Sequence, residues 1–195
     1  MLLFHGMQSS LSMVYDREMG MMRLLLTAPL PRWYLLLCKL GAGTVLSLLQ
    51  AYAFLIVALI FGVAIPWIGW LYILPAMVLA GLMVGSLGLL LSVYTRQLEN
   101  FAGMMNFVIF PMFFLSTSLY PLWRLREAGA EVVYWLSLFN PFTHAVELIR
   151  FAAYSQFNWV SFCVVAGTAV VFFMFAAVGY DPQRGFANRG GPKGG

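Results

Sequence analysis

The sequence predicts an all-α, polytopic transmembrane helix bundle, and two observations carry that reading. Of the 195 residues, 62% are hydrophobic and only 9% are charged, with a mean hydropathy of +0.86. A soluble domain carries roughly 25% charged residues, so this chain cannot cover itself with a solvated surface, and lipid is its natural solvent. The second observation is four long stretches, 40–64, 67–94, 101–123 and 151–180, that contain no Asp, Glu, Lys, Arg or His. A helix needs roughly 20 apolar residues to cross the hydrocarbon core, and these stretches supply them. A transmembrane barrel would show segments of about 10 residues alternating polar and apolar, which these do not.

The elements follow in order. Residues 1–14 are apolar, run straight into charge, and lack both a leading basic region and a small-residue cleavage site. They read as the cytoplasmic end of an incomplete transmembrane helix, with the chain N-terminally truncated, rather than as a signal peptide. Residues 15–39 form a cytoplasmic helix and the entry to the next span. Within it Asp16, Gly20, Arg23 and Thr27 recur at i, i+4, i+7 and i+11 and draw one polar stripe, opposite Met21, Met22 and Leu25. Pro29 and Pro31 then end the helix. Arg32, Trp33, Tyr34 and Lys39 make a cationic and aromatic collar at the membrane face.

The transmembrane domain occupies 40–180, with complete spans expected at 40–64, 67–94, 101–120 and 157–180. Pro66, Trp67, Gly69 and Trp70 mark the outer turn between the first two. Gly81, Gly85 and Gly88 give the second span a small-residue face for close helix packing. The third contains Asn106 and Pro111. Two shorter helices are expected at 121–156, placed outside because they are too short or too charged to cross, with Asn140-Pro141 as N-cap and first helical residue. Residues 181–195 read as a disordered Gly/Pro/Arg tail.

The net charge of +4 reports topology. Eight of the 11 basic residues (Arg17, Arg23, Arg32, Lys39, Arg96, Arg184, Arg189 and Lys193) fall on one side if the spans alternate, and the positive-inside rule makes that side cytoplasmic. Arg124, Arg126 and Arg150 lie opposite. Lipid is therefore the expected partner of the surface, and nucleic acid is not. Cys38 and Cys163 lie near opposite faces, too far apart to bridge.

Absent motifs narrow the function. There is no G-x-x-x-x-G-K-[ST] phosphate loop, so no ATP site of the usual kind, and no H-E-x-x-H or G-x-S-x-G. No catalytic, cofactor-binding or metal residues are assigned. The complete spans also lack the ionisable relays that proton- and ion-coupled carriers keep. His144, Glu147 and Arg150 share a helix at spacings of three; Glu147 and Arg150 can pair, and two ligands without a third make a poor metal site. Asn106 can hydrogen-bond a neighbouring helix or a substrate.

Three stretches carry a family resemblance. VYDREMGMMRLLLTAPLPRWYLLLCKL resembles the cytoplasmic segment between the second and third spans of type-2 ABC exporter membrane subunits. QLENFAGMMNFVIFPMFFLSTSLYPLW and LFNPFTHAVELIRFAAY are similar to the family's fifth span and the helices before its sixth. The similarity looks strongest to a bacterial subgroup associated with quinoprotein (PQQ-dependent) alcohol oxidation systems.

The resemblance implies a permease of the bacterial inner (cytoplasmic) membrane that homodimerises and binds a separate ATP-binding subunit. ATP, Mg and hydrolysis would then reside on the partner, and no cofactor on this chain. It further implies that Asp16, Arg17, Glu18, Gly20, Met21, Met22, Arg23 and Leu25 form the ATPase-coupling helix. Asn106, Phe110, Phe113 and Phe114 would line the translocation pathway. The chain departs from the six-span pattern in lacking the first span and most of the second, and Met21 stands where the family often has Thr. The competing readings are a passive channel or ion-coupled secondary carrier, and a membrane scaffold without transport. Neither the residues nor the resemblance names the cargo.

Overall fold

The computed structural model describes residues 6, 10–15, 19, 32–63, 66–95, 97–120, 122–127 and 129–179. Among them, after a helical stretch at 10–15, come α1 (Arg32–Ile60), α2 (Trp67–Tyr94), α3 (Leu98–Phe114), α4 (Leu122–Glu127), α5 (Glu131–Phe139), α6 (Pro141–Ala153) and α7 (Trp159–Gly179). No strand occurs among the described residues. The expected architecture, an all-helical membrane bundle, is what the chain forms.

The bundle is organised around α2. In its most apolar window 67% of residues are buried, against 22% in α1 and 17% in α7. Composition explains the difference. Without a hydrophobic driving force between helices in lipid, association relies on close van der Waals packing, and small residues permit it. Helix α2 buries Ala76, Ala80, Gly81, Gly85, Ser86 and Gly88.

Helix α1 runs antiparallel to α2, and their register is fixed at two glycines. A Cβ on Gly81 would lie 3.1 Å from Thr44 Cγ2, and one on Gly85 would lie 2.5 Å from Leu40 Cδ1. Nearer the N-terminus of α2, Tyr52 Oη donates to the Trp70 carbonyl at 2.9 Å. Thr44 and Ser47 satisfy their hydroxyls within α1, on the carbonyls of Leu40 and Gly43, both at 2.8 Å. Such bonding one turn back removes the cost of polar groups in an apolar setting. The N-terminal stretch lies along the same groove. A Cβ on Gly6 would meet Val84 Cγ1 at 2.9 Å, and Met13 packs with Leu36, Leu40 and Leu89. Helix α7 runs parallel to α2 and ends against it, since a Cβ on Gly179 would lie 2.9 Å from Val93 Cγ1.

Three helices among the described residues are long and apolar enough to cross a membrane: α1 from Trp33, α2 and α7. The crossing expected at 101–120 is helical only from Leu98 to Phe114, 17 residues. At 1.5 Å per residue this is about 26 Å, short of a hydrocarbon core of about 30 Å. The helix stops because Leu115 leaves helical geometry and Ser116 turns its hydroxyl onto the Phe113 carbonyl at 2.7 Å.

The stretch 121–156 also departs from expectation. Rather than standing wholly outside the spans, α6 packs lengthwise on α2. Its Leu148 and Ala152 meet Ala76, and its Phe142 and Ala145 enter the cluster that holds Ala80, Met83, Val84 and Leu87. The hairpin of α5 and α6 thus folds back beside the spans. Phe142, Ala145, Leu148 and Ala152 repeat at helical spacing, a stripe too short to cross a membrane yet apolar enough to need a partner. The α2 face of Ala76, Ala80, Met83 and Leu87, distinct from the glycine face that meets α1, provides one.

Candidate functional site

The described part of the site centres on α3 and the turn that ends it. Phe101 and Ile109 are fully buried, anchoring one face of α3. Asn106, Phe107, Phe110 and Phe114 lie on the other face and are exposed, Phe107 by 80% and Phe114 by 60%. Phe110 and Phe114, one turn apart, stack at 6.3 Å between ring centroids, and Phe113 meets Phe114 edge-on at 5.9 Å. Phe113 itself leans into the central core. Of the four residues expected along a pathway, Asn106, Phe110 and Phe114 therefore share an unpartnered aromatic and amide stripe, while Phe113 supports it from behind.

The C-terminal end of this stripe is tied down by polar groups from α5 and α6. The last four carbonyls of a helix have no partner within it. Here Asn140 Nδ2 donates to the Met112 carbonyl at 2.7 Å, and Arg150 Nη2 donates to the Thr117 carbonyl at 3.0 Å. Asn140 Oδ1 also caps α6 by accepting the Phe142 amide at 3.0 Å, so one side chain serves the C-terminal end of α3 and the N-terminus of α6. Arg150 Nη1 meets Glu147 Oε1 at 3.0 Å. His144 Nε2 lies 3.0 Å from the Leu138 carbonyl, fastening α6 to α5. Glu147 and Arg150 thus pair as their spacing predicts, and Arg150 adds a bond to the turn after α3 that sequence spacing does not show.

His144 and Glu147 have no third metal-ligating companion: among the described residues no group of three His, Cys, Asp or Glu could hold an ion. The coupling residues Asp16, Arg17, Glu18, Gly20, Met21, Met22, Arg23 and Leu25 lie outside the described residues. Gly81 and Gly85 meet α1 as given above, and Gly88 is buried on the same helix.

The buried polar turn was not legible in the sequence as a unit. Ser116, Thr117, Ser137, Asn140 and Thr143 are all 9% exposed or less. The signal available was the Asn-Pro pair, which announces a cap but not the second bond its amide makes.

Comparison with known proteins decides the family. The family model described as "ABC-2 type transporter" matches residues 1–154, most of the chain. The chain belongs to the ABC-2 type transporter family.

Relatives of this ABC-2 chain include "Nodulation protein J" of Rhizobium leguminosarum bv. viciae, 33% identical over 84 residues, 43% of this chain and 31% of the relative. "Putative transport permease ycf38" of Cyanophora paradoxa is 29% identical over 158 residues, 80% of this chain and 52% of the relative. Its namesake in Porphyra purpurea is 31% identical over 160 residues, 79% and 52%. The ABC-2 chain thus spans about half, or less, of the length of these relatives. No solved structure gives a significant match.

Proposed function

We propose that this ABC-2 family chain is the permease subunit of an ATP-driven exporter, forming the substrate pathway and coupling to a separate ATP-binding subunit. The observation that carries the reading is the family match over residues 1–154, which takes in the charged segment, α3 and the α5–α6 hairpin. The permease names of the ycf38 relatives support it.

Two copies of the subunit bring their α3 helices face to face. The stripe of Asn106, Phe110 and Phe114 then borders a shared, nearly uncharged path suited to an amphipathic or hydrophobic cargo. The segment at 16–27 docks on the partner, which carries ATP and Mg. Closure of the nucleotide sites reaches the membrane by rigid-body movement of packed helices. The location is the bacterial inner membrane. Within the family, the three quoted stretches support a place in the subgroup associated with quinoprotein alcohol oxidation.

Reconstitution tests this. The chain, expressed with a Walker-A ATPase from the same source, is expected to co-purify with it and to give flux from proteoliposomes only with hydrolysable ATP. Flux equal with and without ATP would replace the proposal with a passive channel, and no flux with any nucleotide would leave a scaffold.

A further inference from the structure

Away from the α3 stripe, a cavity of about 360 Å³ opens between α2, α6 and the start of α7, within the roughly 300–1,000 Å³ range of ligand pockets. On α2 it is lined by Tyr72, Pro75, Ala76 and Leu79, at i, i+3, i+4 and i+7. This is the side of the helix turned away from Gly81 and Gly85, the contacts with α1 and the N-terminal stretch. Those elements leave it open. Leu148 and Ala152 of α6 close the back, and Phe162 closes the α7 side.

The cavity is chemically polarised. Its deeper walls, Ala76, Leu79 and Leu148, carry no polar side-chain atom. Towards the N-terminal ends of α2 and α7 the lining is exposed and includes the polar groups of Tyr72, Ser155 and Gln156 beside Phe157. Trp67 and Trp159, 92% and 70% exposed, stand at those same helix ends, where interfacial tryptophans sit at headgroup level. An apolar slot below headgroup depth with hydrogen-bonding groups at its rim matches a lipid chain and its polar head.

A second observation falls at the mouth. The α6–α7 turn closes with Gln156 N donating to the Phe151 carbonyl at 2.9 Å and Ser155 N to the Ala152 carbonyl at 3.0 Å, the double bond pattern that places one residue in the left-handed region. That residue is Ser155, at φ 58°, the one non-glycine at positive φ among the described residues. Glycine takes this conformation without a Cβ penalty, so the serine is held against a backbone preference.

We infer that this cavity binds one acyl chain of an outer-leaflet phospholipid, with Ser155 and Gln156 receiving its headgroup. The inference is independent of the transport proposal, because its test needs neither ATP nor cargo. The chain is reconstituted in phospholipid vesicles doped with a phosphatidylcholine carrying a diazirine in one acyl chain. It is then irradiated, and the adducts are mapped by peptide mass spectrometry.

Ala76, Leu148 and Ala152 are 6%, 3% and 8% exposed, so bulk lipid reaches them only through the cavity. Adducts are expected there as well as on exposed Leu49 and Phe54 of α1. Filling the cavity with Ala76→Phe, or more gently with Ala152→Leu, should lower the cavity adducts about tenfold and leave the α1 adducts unchanged, which also reports correct folding. Ser155→Gly relaxes the turn, and it should raise thermal stability while lowering the cavity adducts several-fold. Adducts confined to exposed residues, or cavity adducts unaltered in both filled variants, would overturn the site. Unaltered adducts in Ser155→Gly would overturn the role of the serine.

Discussion

Asn140 binds two helix ends with one side chain: its Nδ2 donates to the Met112 carbonyl at 2.7 Å while its Oδ1 accepts the Phe142 amide at 3.0 Å. The residue is 9% exposed, so neither bond is easily replaced by water. Losing a buried partner leaves an unsatisfied group at about 1–3 kcal/mol, and losing an N-cap costs typically about 1 kcal/mol more. Asn140→Ala is expected to lower the thermal unfolding temperature clearly. Asn140→Ser keeps a capping oxygen but cannot reach Met112, and should fall between. Equal unfolding temperatures for Asn140→Ser and wild type would remove the tie to α3 from the account.

Arg150 and Glu147 should separate in a similar way. Their ion pair is partly exposed, with side chains 42% and 16% accessible, and exposed pairs contribute only about 0–1 kcal/mol. Glu147→Gln should therefore be nearly silent. Arg150→Ala also abandons the Thr117 carbonyl and should destabilise more. Chemical denaturation of both variants in the same detergent gives the order, and a larger loss for Glu147→Gln would contradict it.

The contact between α1 and α2 makes a coupled prediction. A Cβ at position 85 would lie 2.5 Å from Leu40 Cδ1, so Gly85→Val overpacks the interface, at a cost of typically about 1–3 kcal/mol. Leu40→Ala alone leaves a void. The double variant should recover part of the loss, since residues in contact are non-additive. Strict additivity in a double-mutant cycle would mean that the two side chains do not meet.

Sidedness can be read with single cysteines. The distribution of basic residues predicts Arg96 on the cytoplasmic side and Glu127 outside. An impermeant thiol reagent added to intact cells should modify Glu127→Cys and spare Arg96→Cys, both in a background lacking Cys38 and Cys163. The reverse pattern would invert the topology.

Much of the fold is legible in the sequence because lipid imposes a simple rule: uncharged helical runs about 20 residues long become spans. The stretches 67–94 and 157–180 correspond closely to α2, Trp67–Tyr94, and α7, Trp159–Gly179. Legibility ends where apolarity stops discriminating. Residues 115–120 are as free of charge as residues 101–114 before them, yet the chain turns there because Ser116 competes for a backbone carbonyl. The position of α6 was equally hidden. Its amphipathic stripe shows that it packs, but the stripe cannot tell whether the partner is a headgroup layer or the Ala76, Ala80 and Met83 side of α2.

The site divides in the same manner. Glu147 with Arg150, a local pair, followed from spacing. The bonds from Asn140 to the end of α3 and from Arg150 to the turn after it join residues 28 and 33 positions apart, and no local pattern encodes them. Ser155 was silent because serine is ordinary in a turn, and only its φ of 58° marks it.

The central claim is that ATP-driven motion in a partner reaches the spans through the segment at 16–27, and Glu18→Lys tests it most directly. Removing one partner of a buried, hydrogen-bonded charge at an interface costs about 2–5 kcal/mol, whereas changing a solvated surface charge costs less than about 0.5 kcal/mol. Wild type and variant are compared for membrane insertion, co-purification of the ATPase and ATP-dependent transport. The account predicts normal insertion with ATPase binding or transport lost. Wild-type behaviour in all three would contradict it, leaving Asp16, Arg17 and Glu18 as charges that merely set topology.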